Sequence, residues 1–138
     1  MIKEIDAQTL ELLIQKAKEA SKNAYSPYSQ FRVGAALLTL DGKTFLGCNV
    51  ENASYGLTIC AERNAIFQMI VQQSTRDLHA LVVYTPTMKP SSPCGACRQV
   101  IREFSAEVRI ICVCDGKEIL VKSIADLLPD PFDLDNEF

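Results

Sequence analysis

Two short stretches constrain this chain more than any other feature. Cys60-Ala61-Glu62-Arg63 and Pro93-Cys94-Gly95-Ala96-Cys97-Arg98-Gln99 lie with 33 residues between Cys60 and Cys94, and together carry three thiols and a carboxylate. If the thiols hold one soft cation, the fold must bring two separate segments to a point. Three protein ligands leave a fourth tetrahedral position open, the arrangement of a catalytic rather than a structural zinc site. Zinc lowers the pKa of a bound water toward about 7, and some group must then carry protons. Glu62 stands two residues after Cys60, where its carboxyl can reach the open position, so it reads as a proton shuttle and not a ligand. A structural site would need a closing fourth ligand, for which His79, Cys48, Cys112 or Cys114 would have to serve, and would leave Glu62 without a role.

The remainder of the chain narrows the partners. At 138 residues it is expected to form one domain over residues 1–138, burying about two thirds of its unfolded surface. A formal charge of −3 and a pI near 5.1 argue against nucleic acid, whose non-specific binding draws on clustered Lys and Arg. A small neutral substrate suits the balance better. Residues 1–6 lack the apolar run of a signal peptide, and no stretch approaches the roughly 18 apolar residues of a membrane span, so a cytoplasmic protein without a membrane partner is expected. In a reducing compartment the thiols stay free to ligate. Cys48, Cys112 and Cys114 fall in apolar, strand-like runs and read as small core residues.

Apolar residues at helical spacing from Leu10 to Ala24 predict an amphipathic helix over 7–23, with Asp6 as its N-cap. The segment Tyr25-Ser26-Pro27-Tyr28-Ser29 ends it, because the residue before a proline leaves the helical region. Residues 33–40 read as a buried strand, joined through Asp41-Gly42 to a second over 43–50. Helical periods run on from Cys60 and from Cys94, placing the cysteines in first turns. Residues 79–84 and 106–114 read as core strands, and lone His79, opening the first of these, as structural. Asp115-Gly116 is a second hairpin signal into 118–122, which would make the last two strands antiparallel. Ser123-Ile124-Ala125-Asp126 is a capping-box pattern for a short helix ending before Pro129, and the acidic tail 130–138 should be poorly ordered by itself. Two helix N-termini would then face the metal and offset the net −1 charge of three thiolates on a dication; Arg63 would add to this if its guanidinium reached a ligating sulfur.

With Phe31-Arg32-Val33-Gly34-Ala35-Ala36 and Asn49-Val50-Glu51-Asn52-Ala53 upstream, the two cysteine stretches resemble the short, homotetrameric type of cytidine deaminase over residues 25–132. The resemblance implies an α/β fold, a three-layer α/β/α sandwich around a mixed five-stranded sheet. It implies a zinc cofactor on Cys60, Cys94 and Cys97, with Glu62 catalytic and Arg63 tuning the sulfurs. It also implies hydrolytic deamination of cytidine and 2′-deoxycytidine, a reaction of pyrimidine salvage. Asn49 and Glu51 match residues that hold the ribose 3′-hydroxyl, Phe31 one that stacks on the pyrimidine, and Ala61 offers backbone groups to the base edge. Tyr55 and Phe132 match residues that approach a neighbouring subunit's site in the homotetramer, although Asp130-Pro131 replaces the small residues expected before that aromatic. Antiparallel final strands would suit the free-nucleoside branch of the fold over the polynucleotide-editing branch. A deaminase of a nucleoside antibiotic such as blasticidin S would share the cysteine motifs, but the sugar-directed Asn49 and Glu51 favour an unmodified ribose. A non-enzymatic zinc-binding interaction module is the alternative from another class.

Overall fold

The central strands read as unbroken apolar runs because both of their faces are covered. A computed structural model describes residues 4–72 and 75–134. In chain order its elements are α1 (Ala7–Ser21), β1 (Gly34–Thr39), β2 (Thr44–Cys48), α2 (Ala61–Gln72), β3 (Leu78–Tyr84), α3 (Gly95–Phe104), β4 (Arg109–Val113), β5 (Leu120–Ser123) and α4 (Ile124–Leu127). The strands form one five-stranded sheet in the order β2-β1-β3-β4-β5. Its β3–β4 pair is parallel and its other pairs antiparallel, so the sheet is mixed as expected. The antiparallel β4–β5 pair also agrees with the sequence reading.

Strand side chains alternate between the faces, and the core divides accordingly. Ala36, Leu38, Val82, Ile111 and Val113 pack with Leu13 and Ala17 of α1. Ala35, Leu37, Leu81, Val83, Ile110 and Cys112 pack on the other face with Ala65, Ile66 and Met69 of α2 and with Cys97 and Ile101 of α3. These are the three layers. Two glycines allow the layers to close. A Cβ on Gly34 would lie 1.8 Å from the Ala17 carbonyl oxygen of α1, and one on Gly47 would lie 2.3 Å from the Ala61 carbonyl oxygen of α2. The second approach places the start of α2, and with it Cys60 and Glu62, directly against β2.

Asp6 caps α1 as anticipated, its Oδ1 accepting the Thr9 amide at 2.6 Å, and Ser123 and Asp126 form the capping box of α4. Several boundaries differ from the sequence reading. Helix α1 ends at Ser21, two residues early, where Arg32 Nη1 takes the Lys22 carbonyl at 3.0 Å. Strand β2 ends at Cys48 because Val50 turns to bridge Tyr25 and Ile59 instead. Residues 106–108 are not strand, since the Ser105 hydroxyl accepts the Glu107 and Val108 amides in a turn. Asp115-Gly116 does not close a two-residue hairpin: β4 ends at Val113 and β5 begins at Leu120. Asp115 is diverted to the chain after β3, donating its amide to the Thr87 carbonyl at 2.8 Å while its carboxylate accepts the Tyr84 hydroxyl at 2.6 Å. Of the acidic tail expected to be poorly ordered, residues 130–134 run beside α3, where Gln99 bonds both backbone groups of Phe132. The last four residues, like residues 1–3 at the other end, lie outside the described residues. No helix among the described residues is long and apolar enough to cross a membrane.

Candidate metal centre and substrate pocket

The sheet sets β1 between β2 and β3, and the helices that follow β2 and β3 in the chain start close together. Cys60 immediately precedes α2, and Cys94 is the N-cap of α3 with an extended backbone. Both therefore stand just ahead of the first turns in which they were expected, and Cys97 lies within one. The displacement is physical: an N-cap has non-helical dihedrals, and the Cys94 side chain makes no capping bond to its own helix, which leaves its sulfur to the cluster. The three Sγ atoms lie within 4.8 Å of one another, Cys60 and Cys94 being 3.9 Å apart. Sulfurs at about 2.3 Å from a tetrahedral zinc sit about 3.8 Å from each other, so the cluster needs only a small contraction to hold that ion. Among the described residues no fourth Cys, His, Asp or Glu joins the group; His79, Cys48, Cys112 and Cys114 stay apart from it.

The electrostatics favour a cation at the same point. The Cys60 thiol is drawn down to about 5, first by a hydrogen bond from Cys97 and then, against its burial, by Arg63 and Cys94. Cys97 moves the opposite way because it donates to Cys60, is buried, and faces the negative charges of Glu62 and the other two sulfurs. One thiolate is thus comfortable and the next proton resists leaving, until a dication takes the proton's place. Arg63 Nη2 lies 3.4 Å from the Cys60 sulfur, the contact anticipated for it, while its buried Nε has no partner among the described residues. A guanidinium pressed against ligating sulfurs offsets the excess negative charge of a three-thiolate site. Donor set, spacing and counter-charge all fit zinc.

Glu62 is buried, at 5% exposure. Burial holds its carboxyl above the ordinary carboxylate range and the Cys60 charge adds to this, while its own backbone amide, a Cys97 hydrogen bond and Arg63 oppose it. A carboxyl whose proton affinity is raised holds a proton more readily than an ordinary carboxylate, which suits a shuttle. Beneath it on β4 lies Cys112, whose thiol burial pushes up to about 12, the Glu62 charge contributing; it stays neutral.

Glu62 lines a cavity of about 210 Å³ together with Cys60, Ala61, Phe31, Asn49 and Val83, with Thr85, Ser91 and Ser92 also in its lining. That is below the roughly 300–1,000 Å³ of drug-sized sites and suits a small heterocycle. Asn49 is buried at 8% exposure. Its Oδ1 accepts the Val33 amide at 2.9 Å and its Nδ2 donates to the Phe31 carbonyl at 2.7 Å. A second hollow of about 300 Å³ adjoins, sharing Thr58 and lined also by Glu51, Tyr28 and Tyr55. The two tyrosine rings meet edge to face at 5.9 Å. The fold thus gathers Cys60, Cys94, Cys97, Glu62, Arg63, Ala61, Phe31 and Asn49, with Glu51 and Tyr55 next door. Phe132, 69% exposed, lines neither hollow.

Three residues that the sequence reading passed over hold this arrangement. Arg98 spends its guanidinium on the Pro93 carbonyl at 2.7 Å, the Leu127 carbonyl at 2.9 Å and the Ser92 hydroxyl at 2.9 Å, fixing the turn that delivers Cys94. Gln99 grips the Phe132 backbone at 2.8 and 3.0 Å. Asn64 donates to the Cys48 carbonyl at 2.8 Å, tying the metal-bearing helix to the strand that precedes Asn49. The available signal was position: Arg98 and Gln99 directly follow a presumed ligand inside a helix start, where a solvated charge has less reason to be.

Residues 7–114 match the family model described as the cytidine and deoxycytidylate deaminase zinc-binding region. A cytidine deaminase of Sporosarcina psychrophila is 47% identical over 124 residues, which is 89% of this chain and 90% of that protein. Among solved structures, a cytidine deaminase from Burkholderia pseudomallei superposes with a TM-score of 0.84 at 48% identity, covering 88% of this chain and 98% of the other. The cytidine deaminase from Mycobacterium tuberculosis superposes at 0.78 with 38% identity, covering 95% and 100%.

Proposed function

The chain belongs to the cytidine and deoxycytidylate deaminase family, and from that premise we propose that it hydrolyses cytidine and 2′-deoxycytidine to the corresponding uridines, consuming water and releasing ammonia. The observation that carries this reading is the buried Glu62 carboxyl lining one small cavity with Cys60 and Phe31, beside a three-sulfur cluster that no fourth Cys, His, Asp or Glu among the described residues closes.

Cys60, Cys94 and Cys97 would hold zinc, which when bound supplies Lewis-acid activation of water near neutral pH. The chain's own residues do the rest. Phe31 and Val83 offer the pyrimidine apolar surface, and the Ala61 backbone offers its edge hydrogen-bonding groups. Asn49 and Glu51 lie on the side where the sugar would extend, Asn49 with a second amide hydrogen still to give and Glu51 with oxygens that can accept from a hydroxyl. Glu62 takes one proton of the attacking water and passes it to N3 as C4 is attacked. It then takes the remaining proton from the C4 hydroxyl of the adduct and delivers it to the amine, so that the C4–N bond breaks as the carbonyl forms. Its raised proton affinity lets it perform both transfers.

We read residues 1–138 as a single deaminase domain, on the support of one sheet spanning the described elements. A homotetramer is the natural assembly for this reading, since Tyr55 at 76% and Phe132 at 69% exposure carry apolar surface toward solvent where a neighbouring subunit would receive it. A cytoplasmic role in pyrimidine salvage follows from a free nucleoside substrate.

Loss of ultraviolet absorbance from cytidine on mixing with the zinc-loaded protein tests the proposal, with deoxycytidine, CMP and blasticidin S as comparisons. Turnover of the two nucleosides well above the other compounds is expected. Stoichiometric zinc without turnover of any amino-pyrimidine would overturn the reading in favour of a binding module.

A further inference from the structure

Residues 26–33 pass the mouth of the cavity without joining the sheet, so their backbone polar groups must find partners elsewhere. Three side chains supply partners for four of their amides and for the Phe31 carbonyl. Asn49 holds the Val33 amide and the Phe31 carbonyl. Glu51 Oε1 accepts the amides of Tyr28 at 2.9 Å and Ser29 at 3.1 Å, and its Oε2 accepts the Ser29 hydroxyl. The same hydroxyl oxygen accepts the Phe31 amide at 3.0 Å. One Ser29 oxygen therefore links the Glu51 carboxylate to the backbone of the residue whose ring forms a wall of the cavity. Between them Gln30 has φ +56°, a left-handed conformation that a residue with a side chain keeps when its surroundings impose it.

We propose that Ser29 is a positioning residue for the deamination: its hydroxyl locks the turn at residues 28–31 to Glu51 and so sets the angle at which Phe31 meets the base. The inference rests on the proposed function only in taking Phe31 as the face presented to the pyrimidine. Ser29 lines the neighbouring hollow and not the catalytic cavity, so it acts through Phe31 and has no part in moving protons. The link also couples the two hollows. A sugar hydroxyl that draws on Glu51 acts on the same carboxylate that holds the Phe31 turn, so sugar and base are read by one connected device. Because Ser29 is exposed, a threonine there has room for its extra methyl group while keeping the hydroxyl.

The test uses the full zinc-loaded chain with S29A, S29T, F31A and the S29A/F31A double variant, followed by steady-state kinetics on cytidine and by amide hydrogen exchange without substrate. Positioning through Phe31 predicts that S29A raises KM about tenfold while kcat stays within about threefold and zinc content is unchanged. S29T should restore KM. In the F31A background, S29A should change KM by less than about twofold, because the group it positions is gone. The Phe31 amide should exchange faster in S29A while amides of α2 keep their rates. Multiplying effects of S29A and F31A, or unchanged KM and unchanged exchange at Phe31, would overturn the proposal. Should the wild-type chain turn over no amino-pyrimidine, the deaminase reading falls by itself. Exchange at Phe31 then still decides whether the hydroxyl holds the turn: faster in S29A supports it, unchanged removes it.

Discussion

Cys60, Cys94, Cys97 and Glu62 stand at the starts of two helices that bury their inner faces against the sheet, whereas Phe31, Asn49 and Glu51 stand on segments outside it. The catalytic corner is held by packing: Ala61, Ala65, Ile66, Cys97 and Ile101 are all 0% exposed, and Gly47 lets α2 lie against β2 with no room for a methyl group. The substrate wall is held by hydrogen bonds from single side chains to loop backbone. Close-packed interiors resist displacement in every direction, a fit mounting for the groups proposed to meet a metal and move protons. A loop restrained by a few polar contacts can yield to a ligand and re-form around it. The proposed chemistry thus falls on the stiff side and the proposed recognition on the adjustable one.

That contrast can be broken at several points. The largest effect is expected from Glu62→Gln, which keeps shape and packing but removes the proton carrier. Turnover should fall about 10²–10⁴-fold with bound zinc and KM little changed, and near-normal kcat would refute the shuttle. Gly47→Ala attacks the stiff side through its packing. With an Ala61 carbonyl 2.3 Å and an Ala65 amide nitrogen 2.4 Å from the added carbon, backbone must move, at a cost of about 1–3 kcal/mol or more. A clearly lowered Tm accompanied by weaker zinc retention is expected, and an unchanged Tm would mean that α2 is free to slide.

Asn49→Ala attacks the adjustable side. It leaves the Val33 amide and the Phe31 carbonyl without partners at a part-buried position, costing about 1 kcal/mol, and should appear mainly as raised KM for cytidine with kcat less affected. Equal losses in kcat and KM would place Asn49 in the chemistry instead. Acid should also act on this side. Glu51 is held below its ordinary value of 4.5, first by the Ser29 hydroxyl and then by the backbone amides of Ser29 and Tyr28. A depressed carboxylate lends its support fully above the unfolded value and loses it as pH falls through the folded one. KM should therefore rise on the acid limb beneath pH 4.5, and Glu51→Gln should flatten that rise; a rise that persists in the variant assigns it to another group. The smallest effect is expected far from both regions. Lys43→Ala removes a 3.9 Å surface pair with Asp41 whose members are 61% and 44% exposed, and should move stability by less than about 0.5 kcal/mol, as read by denaturant unfolding.

Much of the stiff side was legible in the sequence. A short, β-branched apolar run such as Leu81-Val82-Val83 reads as a strand covered on both faces, and Ala61, Ala65, Ile66 and Met69 read as one face of a helix, so the layers follow from local pattern. The cysteine spacing named its own cluster because soft-metal chemistry permits few alternatives. The adjustable side was less legible. Asn49 and Glu51 were visible as polar residues at a strand end, but nothing in their neighbourhood announces that both are already engaged with residues 28–33. Arg98 is similar: its acceptors belong to Pro93, Leu127 and Ser92, and a distant backbone carbonyl carries no residue-specific signature. The longer connection around Asp115-Gly116 in the β4–β5 hairpin has the same origin, since a good turn dipeptide yielded to the Tyr84 hydroxyl and the Thr87 carbonyl.

By itself, then, the order of residues determined the elements, their buried faces, the three sulfurs and the acid beside them, because each depends on neighbours a few positions away or on coordination chemistry with one dominant solution. Only the tertiary structure decided how near α2 lies to β2, which carbonyls Arg98 collects, and that Ser29 joins Glu51 to Phe31. Those outcomes depend on where separate segments come to rest, and backbone groups, identical at nearly every residue, leave no mark of it in the sequence.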